Sequence, residues 1–357
     1  DLSPDLSVRA VSNGQTVGLN WALPFDRLAP PRRAATDSTR RPVSAGLLAR
    51  DLASRLGTVS ADASYSQSSG YSRLIGTPNL LYLAGLHSAP GFNSGTDGVR
   101  ATLGNTSSQS NDFRSSGRAR LSMGYDAFIA TRAEFTRRQS NNNDVVSRTV
   151  GSRFPDLDLE YGRVAQVIRL NKIMENPILR TSYSRSVQTE FRGSESGPSS
   201  RSISSQWQPL LGLSGMLRNQ TRTELRIERR VSERQNFQLN SSITTDRNTD
   251  VNFNLSKAYS KGQRVKLLGK ESTVRSNVNL SLALAFSKQS GETRQIGVSQ
   301  VQLPINRDRL SVNGTGSYSF SSNVTGNLGL GFGQNRDLER DIVSRNIRLE
   351  LRAAFTF

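Results

Sequence analysis

The sequence has no cysteine and a single histidine in 357 residues. The first absence excludes disulfide frameworks, thiolate metal sites and cysteine nucleophiles. The second leaves His87, in AGLHSAPG, as the sole candidate base for a serine triad, and the Gly-x-Ser-x-Gly elbow that would present the serine does not occur. Hydrophobic residues make up only 34% of the chain and the mean hydropathy is -0.50, which is poor for a compact soluble core of this length. No run of about 18 apolar residues exists, so a transmembrane helix is excluded. With no catalytic constellation, the expectation is that the protein is not an enzyme and needs no cofactor.

Acids are also scarce beside bases: 29 Asp and Glu against 47 Lys and Arg, a formal net charge of +18 and a pI near 11.1. Such a balance raises nucleic acid as a partner, whose footprint would be a basic patch or stripe. Here the cations are spread along the whole chain and alternate with apolar residues. In TRTELRIERRVSERQ, Leu225 and Ile227 fall on one side of a strand and Glu224, Arg226, Glu228 and Arg230 on the other. That pattern suits a water-filled face better than a surface tracking phosphates, so nucleic acid is disfavoured against anionic lipopolysaccharide or a cation-lined lumen.

What the sequence has in abundance is period two. RNIRLELRAAFTF alternates Ile347, Leu349, Leu351, Ala353, Phe355 and Phe357 with polar residues, and its ladder runs to the last residue given. VGLNWALPF, RARLSMGYDAF, VNFNLSKAY, NVNLSLALAFSK and NVTGNLGLGF repeat the pattern, and weaker ladders fill much of the rest. Polar clusters between them read as turns or loops: SQSNDFRSSG, RRQSNNND, GSESGPSS, TTDRNTD and FGQNRDLERD. Disordered chains lack such periodicity. A soluble β-sandwich uses shorter strands, usually about 5–6 residues, and more frequent turns. A transmembrane barrel satisfies both the period and the low hydropathy, because only every second residue of its lipid band must be apolar.

The expected fold is therefore all-β: an antiparallel transmembrane β-barrel, or the C-terminal portion of a larger one, with about 12–14 strands in this chain. Residues 1–357 form one barrel domain or segment, and 28–57 and 162–177 are loop or short-helix insertions. In these two stretches four-residue leucine spacing (Leu48, Leu52, Leu56) and the apolar GRVAQVIRLNKIMENP interrupt the strand period. The opening DLSPDLSVRA carries neither initiator Met nor leader, so the expected material is mature or truncated.

Two motifs invite chemistry. Asp156, Asp158 and Glu160 fall on one strand face and could hold a cation, but in so basic a chain they are expected to pair with arginines. Gly326, Gly329, Gly331 and Gly333 superficially look like a phosphate loop, yet Leu328, Leu330 and Phe332 carry the strand period through them. Tyr82, Tyr125, Tyr161, Tyr259, Phe286 and Phe332 are candidates for interfacial aromatic girdles.

The terminal ladder resembles the assembly signal that the outer-membrane barrel insertion machinery reads, on Leu349, Leu351, Ala353, Phe355 and Phe357. ISSQWQPLLGLSGMLRNQTRTELRIERRVSERQNFQLNSS (203–242), RFPDLDLEYGRVAQVIRLNKIMENPILRTSYSRS (153–186) and YSRLIGTPNLLYLAGL (71–86) are similar to stretches of the SprA cell-surface and gliding-motility family. That family's members are very large outer-membrane barrels serving as the type 9 secretion translocon. The resemblance implies an outer-membrane location, outer-membrane lipid and lipopolysaccharide as surroundings, and secreted protein as cargo. It also implies upstream barrel strands, a shuttle barrel and a periplasmic plug as partners. A self-contained porin-like or surface-anchor barrel and a soluble basic polyanion binder stand as alternatives. The loops SSQSNDFRSSG and RGSESGPSSRS are expected to be external.

Overall fold

The computed structural model describes residues 9–25, 55–91, 100–101, 106–124, 126–143, 145–167, 170–193, 197–238, 241–260, 264–267, 270–273, 276–296, 301–320 and 323–355. The strands are β1 (Arg9–Pro24), β2 (Thr58–Ile75), β3 (Arg100–Ala101), β4 (Ser107–Gly124), β5 (Ala127–Asn142), β6 (Val145–Tyr161), β7 (Met174–Arg192) and β8 (Ser200–Leu217). They continue with β9 (Arg222–Asn236), β10 (Ser242–Tyr259), β11 (Arg264–Leu267), β12 (Lys270–Thr273), β13 (Val278–Gln295), β14 (Val301–Ser319), β15 (Val324–Asp337) and β16 (Ile342–Phe355). Short helices α1 (Leu80–Leu83) and α2 (Val164–Val167) and a 3-10 turn at Leu170–Lys172 complete the described elements.

One antiparallel sheet holds β1-β2-β4-β5-β6-β7-β8-β9-β10-β13-β14-β15-β16 in that order, with β3 pairing β2 and with β11 and β12 forming a separate hairpin. Every step along the path joins neighbours in sequence or skips only a small insertion, so each strand is reached by a hairpin. Several connections are tight. Asp126, Asn143, Gln220 and Asp341 sit in the left-handed region (φ 57, 49, 63 and 48°), which Asn and Asp tolerate better than most residues and which lets the chain reverse within a few residues. Among the described residues β1 pairs only with β2 and β16 only with β15, so the path has two edges.

Residues opposite each other in an antiparallel ladder share a face, so the register can be followed across the sheet. It separates the side chains into two continuous surfaces. On the first, Leu349 meets Leu330, Leu330 meets Gly314, Gly314 meets Leu282, Leu282 meets Leu255, and the row continues through Thr223. On the second, Glu350 meets Gly329, then Thr315, Ser281, Ser256 and Arg222. Among the described residues most of both surfaces is uncovered: the accessible area is 25370 Å2, against about 14,000 Å2 for a compact soluble monomer of this mass. The sheet is a wall one layer thick, and its few fully buried side chains, such as Leu74 and Tyr82, lie under a local fold rather than in a common core.

The strands are longer than their apolar ladders. SQSNDFRSSG (108–117) lies inside β4 and TTDRNTD (244–250) inside β10, while RRQSNNND and FGQNRDLERD are strand as far as Asn142 and Asp337. Reading SSQSNDFRSSG as an external loop is therefore corrected: Ser107 to Gly117 pair with β2 and β5. Polar residues on both faces carry no period to read, yet their backbones make the same ladder. In RGSESGPSSRS, Arg192 belongs to β7 and Ser200 to Ser202 belong to β8, while 194–196 lie outside the described residues. The insertion at 162–177 is also shorter than expected, because α2 and the 3-10 turn end by Lys172 and β7 begins at Met174, with Pro177 in the strand. Most of 28–57 lies outside the described residues. Leu56 makes an isolated bridge with Leu121.

Candidate functional site

The candidate site is the pair of surfaces itself. On the apolar surface alternating apolar side chains gather in one part of the strand, four or five of them in Val17 to Leu23 of β1, Val278 to Phe286 of β13 and Ile347 to Phe355 of β16, but only Leu225 and Ile227 in β9, and Lys257 of β10 stands among them opposite Leu280. The rest of each strand is mostly polar on both surfaces, with scattered apolar residues such as Ile203, Val231 and Ile305. Together the apolar parts make a continuous belt.

The belt climbs relative to the hydrogen-bonded rungs. The rung through Val17 passes Tyr65, Phe113, Arg137, Val150, Thr189, Arg201, Gln235 and Ile243 to reach Arg294 in β13. Arg294 lies well beyond Phe286, where the belt ends in that strand. A drift of about eight residues over nine strand steps, at roughly 3.4 Å per residue and 4.8 Å per strand, tilts the strands about 30° from the belt's normal. The same geometry gives the belt a height of about 23 Å at β16.

Aromatic rings border the belt on both sides. Tyr183 and Trp207 stack with centroids 4.6 Å apart, and Phe113 and Phe135 approach to 6.2 Å, at the border away from Phe355. Phe286 and Phe332 lie on that border, whereas Tyr161, Tyr259 and the Tyr318–Phe320 pair (4.9 Å) lie on the other. Tyr82 belongs to neither girdle. It is fully buried in the segment 76–91, which folds back over β1 and β2; its ring meets Tyr71 edge-on at 6.1 Å. Its hydroxyl donates to the carbonyls of Val11 (3.4 Å) and Ser69 (3.3 Å). Asn13 locks the segment, its amide donating to the carbonyls of Tyr82 (2.8 Å) and His87 (2.9 Å). Burial pushes the Tyr82 hydroxyl above the usual tyrosine range, Ser69 eases it down, and Tyr71 adds a smaller upward push. His87 itself is exposed, and its Nδ1 accepts from the Ala89 amide at 3.2 Å. Tyr125 lies outside the described residues.

The polar surface is lined by charges of both signs on neighbouring strands. Asp156, Asp158 and Glu160 share it as the sequence indicates, and arginines answer them: Arg153 stands 3.0 Å from Asp156 and Arg180 stands 3.2 Å from Glu160. Arg226 pairs with Glu228, Arg307 with Asp337 at 3.3 Å, and Arg138 with Asp112 at 2.7 Å. Among the described residues no three such side chains converge as metal ligands. Gly212 and the bulge between Trp207 and Leu211, where Pro209 supplies no N–H to the ladder, open a recess of roughly 600 Å3 in this wall. Arg120, Asp158, Glu160, Arg180 and Arg226 line it, and the Arg120 guanidinium lies 4.3 Å from the Phe128 ring centre. The glycine run of β15 keeps its strand: Gly329, Gly331 and Gly333 form a bare lane across which Glu350, Arg348 and Asn346 of β16 lie.

Leu349, Leu351, Ala353 and Phe355 come together on the apolar surface of β16, opposite Leu330, Leu328, Gly326 and Val324. Phe357, the fifth residue of the terminal ladder, lies outside the described residues. Sequence reasoning missed the segment 76–91 as an ordered clamp, although Asn79 before an apolar run is a helix-capping signal, and its side chain does accept from the Tyr82 amide at 2.7 Å.

No protein-family model matches the chain, and no curated protein matches it. Among solved structures, the translocator domain of autotransporter NalP from Neisseria meningitidis is similar to 72% of this chain over 83% of its own length, with 10% sequence identity and a TM-score of 0.25. The all-β, antiparallel class rests on the strand pairing itself.

Proposed function

We propose that the chain forms part of the wall of an outer-membrane β-barrel that conducts protein during secretion. The observation that carries this reading is the belt: one face apolar over a height of about 23 Å, climbing at about 30° to the rungs, with a hydrated, charge-balanced face behind it. A bilayer demands that arrangement, since the hydrocarbon band of such walls is about 25 Å tall and their strands tilt about 35–45°. A soluble sheet with both faces uncovered would leave the apolar side chains of the whole belt in water.

The two edges left among the described residues favour a segment of a larger barrel over a self-contained one. An unpaired N–H or C=O in hydrocarbon costs several kcal/mol, so β1 and β16 must find partners there. Directions alternate along the path and β16 is the thirteenth strand, so it runs parallel to β1. Direct closure would make a parallel seam. Antiparallel closure takes an odd number of further strands, which upstream strands of a longer polypeptide would supply. The type 9 translocon-like reading, with its shuttle barrel, periplasmic plug and folded cargo, is supported by the resemblance in 71–86, 153–186 and 203–242. A wide polar tube lowers the cost of passing hydrated protein, and the driving force is assigned to partners, capture or folding.

The test is to extract the native membrane in mild detergent and measure the mass of the complex and of the polypeptide bearing this sequence. A polypeptide several times longer, with large single-channel conductance, is expected. A polypeptide of this length closing on itself, with cross-linking between β1 and β16, would support the porin-like alternative instead. Partition into buffer would remove both.

A further inference from the structure

The chain carries a formal net charge of +18, and cations stand on both surfaces of the sheet. On the polar face arginines meet carboxylates, as at Arg153, Arg180, Arg226 and Arg307. The apolar face differs. On the first rungs beyond the belt it carries Arg185 in β7, Arg229 in β9, Arg247 in β10 and Lys288 in β13, all exposed, and no ion pair engages the three arginines among the described residues. Arg229 and Lys288 stand opposite the same residue, Thr249, from either side. Arg185 and Arg247 share the next rung out, joined through Ser205 and Val231. Five adjacent strands therefore present four cations across about 19 Å and two rungs. The carboxylates on this face are Asp308, opposite Lys288, and Glu233 and Glu292 on the rung beyond Arg247. Directly beneath lie Tyr183 and Trp207, on the rung of Arg229.

We infer that this patch binds the phosphate groups of lipids at the outer border of the apolar belt. The inference rests on the membrane-wall reading above and names which lipid chemistry that wall selects. Apolar side chains, then aromatic rings, then unpaired guanidinium groups follow one another along a single face, in the order in which hydrocarbon, interface and headgroup follow one another in a bilayer. A guanidinium matches phosphate with two parallel N–H donors, and the Arg229–Lys288 spacing of about 10 Å leaves room for separate headgroups. Facing outward rather than into the tube, these cations are placed to hold the surrounding lipid and contribute nothing to attracting acidic cargo.

The experiment uses the complete polypeptide bearing this sequence, reconstituted into vesicles containing brominated phosphatidylglycerol or brominated phosphatidylcholine, beside the same polypeptide carrying Trp207→Phe, so that the difference in quenching reports Trp207, next to the patch. Stronger quenching by the anionic lipid is expected, equivalent to at least about fivefold local enrichment, since each cation near an anionic surface contributes on that order. Adding Arg185→Gln, Arg229→Gln and Arg247→Gln should equalise the two lipids. Replacing Arg118, Arg222 and Arg230 of the polar face with Gln removes the same charge and should leave the preference intact. The patch assignment is overturned if the first triple variant keeps the preference or the second loses it. Loss of the preference to excess inorganic phosphate at constant ionic strength would reassign the patch to free anions and overturn the lipid. Equal quenching by both lipids sinks the patch but not the wall, whereas no quenching by either sinks the wall.

Discussion

Arg153 and Asp156 approach to 3.0 Å across the bulge where Phe154 and Pro155 interrupt the β6–β7 ladder. Asp156 is only 4% exposed while the arginine remains partly in water, and the contact is a close charge pair rather than an aligned hydrogen bond. Replacing Asp156 with Ala leaves a half-buried guanidinium without its counter-charge. The expected cost is about 1–2 kcal/mol, reduced from the fully buried case by solvent around Arg153. Urea unfolding midpoints of Asp156→Ala, Arg153→Gln and the double variant check it, with the double variant expected to lose less than the sum.

The two surfaces predict opposite tolerance at adjacent positions. Leu282 lies in the middle of the belt and Ala283 on the polar wall between Asn254 and Asn313. Leu282→Arg should destabilise the membrane-inserted form by about 2–4 kcal/mol, while Ala283→Arg should be close to neutral. Folding titrations in lipid vesicles measure both. Equal effects would contradict the assignment of faces.

The terminal ladder bears on assembly. A polar residue at Phe357, or at Phe355 opposite Val324, is expected to lower membrane insertion in cells. Quantifying heat-modifiable protein in the membrane fraction checks it, and an unchanged yield would undo that role.

Segment 76–91 should be sensitive to alkali. The folded Tyr82 hydroxyl has a raised pKa, so its stabilising contribution is complete below the ordinary tyrosine value and is lost as pH rises through the folded one. Hydrogen exchange or limited proteolysis of the segment should therefore increase above about pH 10. Tyr82→Phe should remove that step while costing about 0.5–1.5 kcal/mol through its hydroxyl contacts, and Tyr82→Ala should release the segment at neutral pH.

Alternation at every second residue made the strands and their two faces legible wherever one face was apolar. Leu225 and Ile227 part from Glu224, Arg226, Glu228 and Arg230 as their spacing dictates, and Asp156, Asp158 and Glu160 share a wall with the arginines that answer them. The polar halves were illegible for the converse reason. In SQSNDFRSSG and TTDRNTD both faces are wet, so composition mimics a loop while the backbone remains paired. Tyr82 shows a second kind of limit, since a tyrosine in an apolar run looks the same at an interface and beneath a folded segment.

The sequence by itself determined which residues oppose water and which tolerate it, because side-chain direction in a strand depends only on parity along the chain. Only the tertiary structure decided how the strands slide past one another, since that offset is set by hairpin geometry and ladder pairing between residues far apart. From the offset come the tilt of the belt, the parallel run of β1 and β16, and the meeting of Arg185, Arg229, Arg247 and Lys288 on one outward patch.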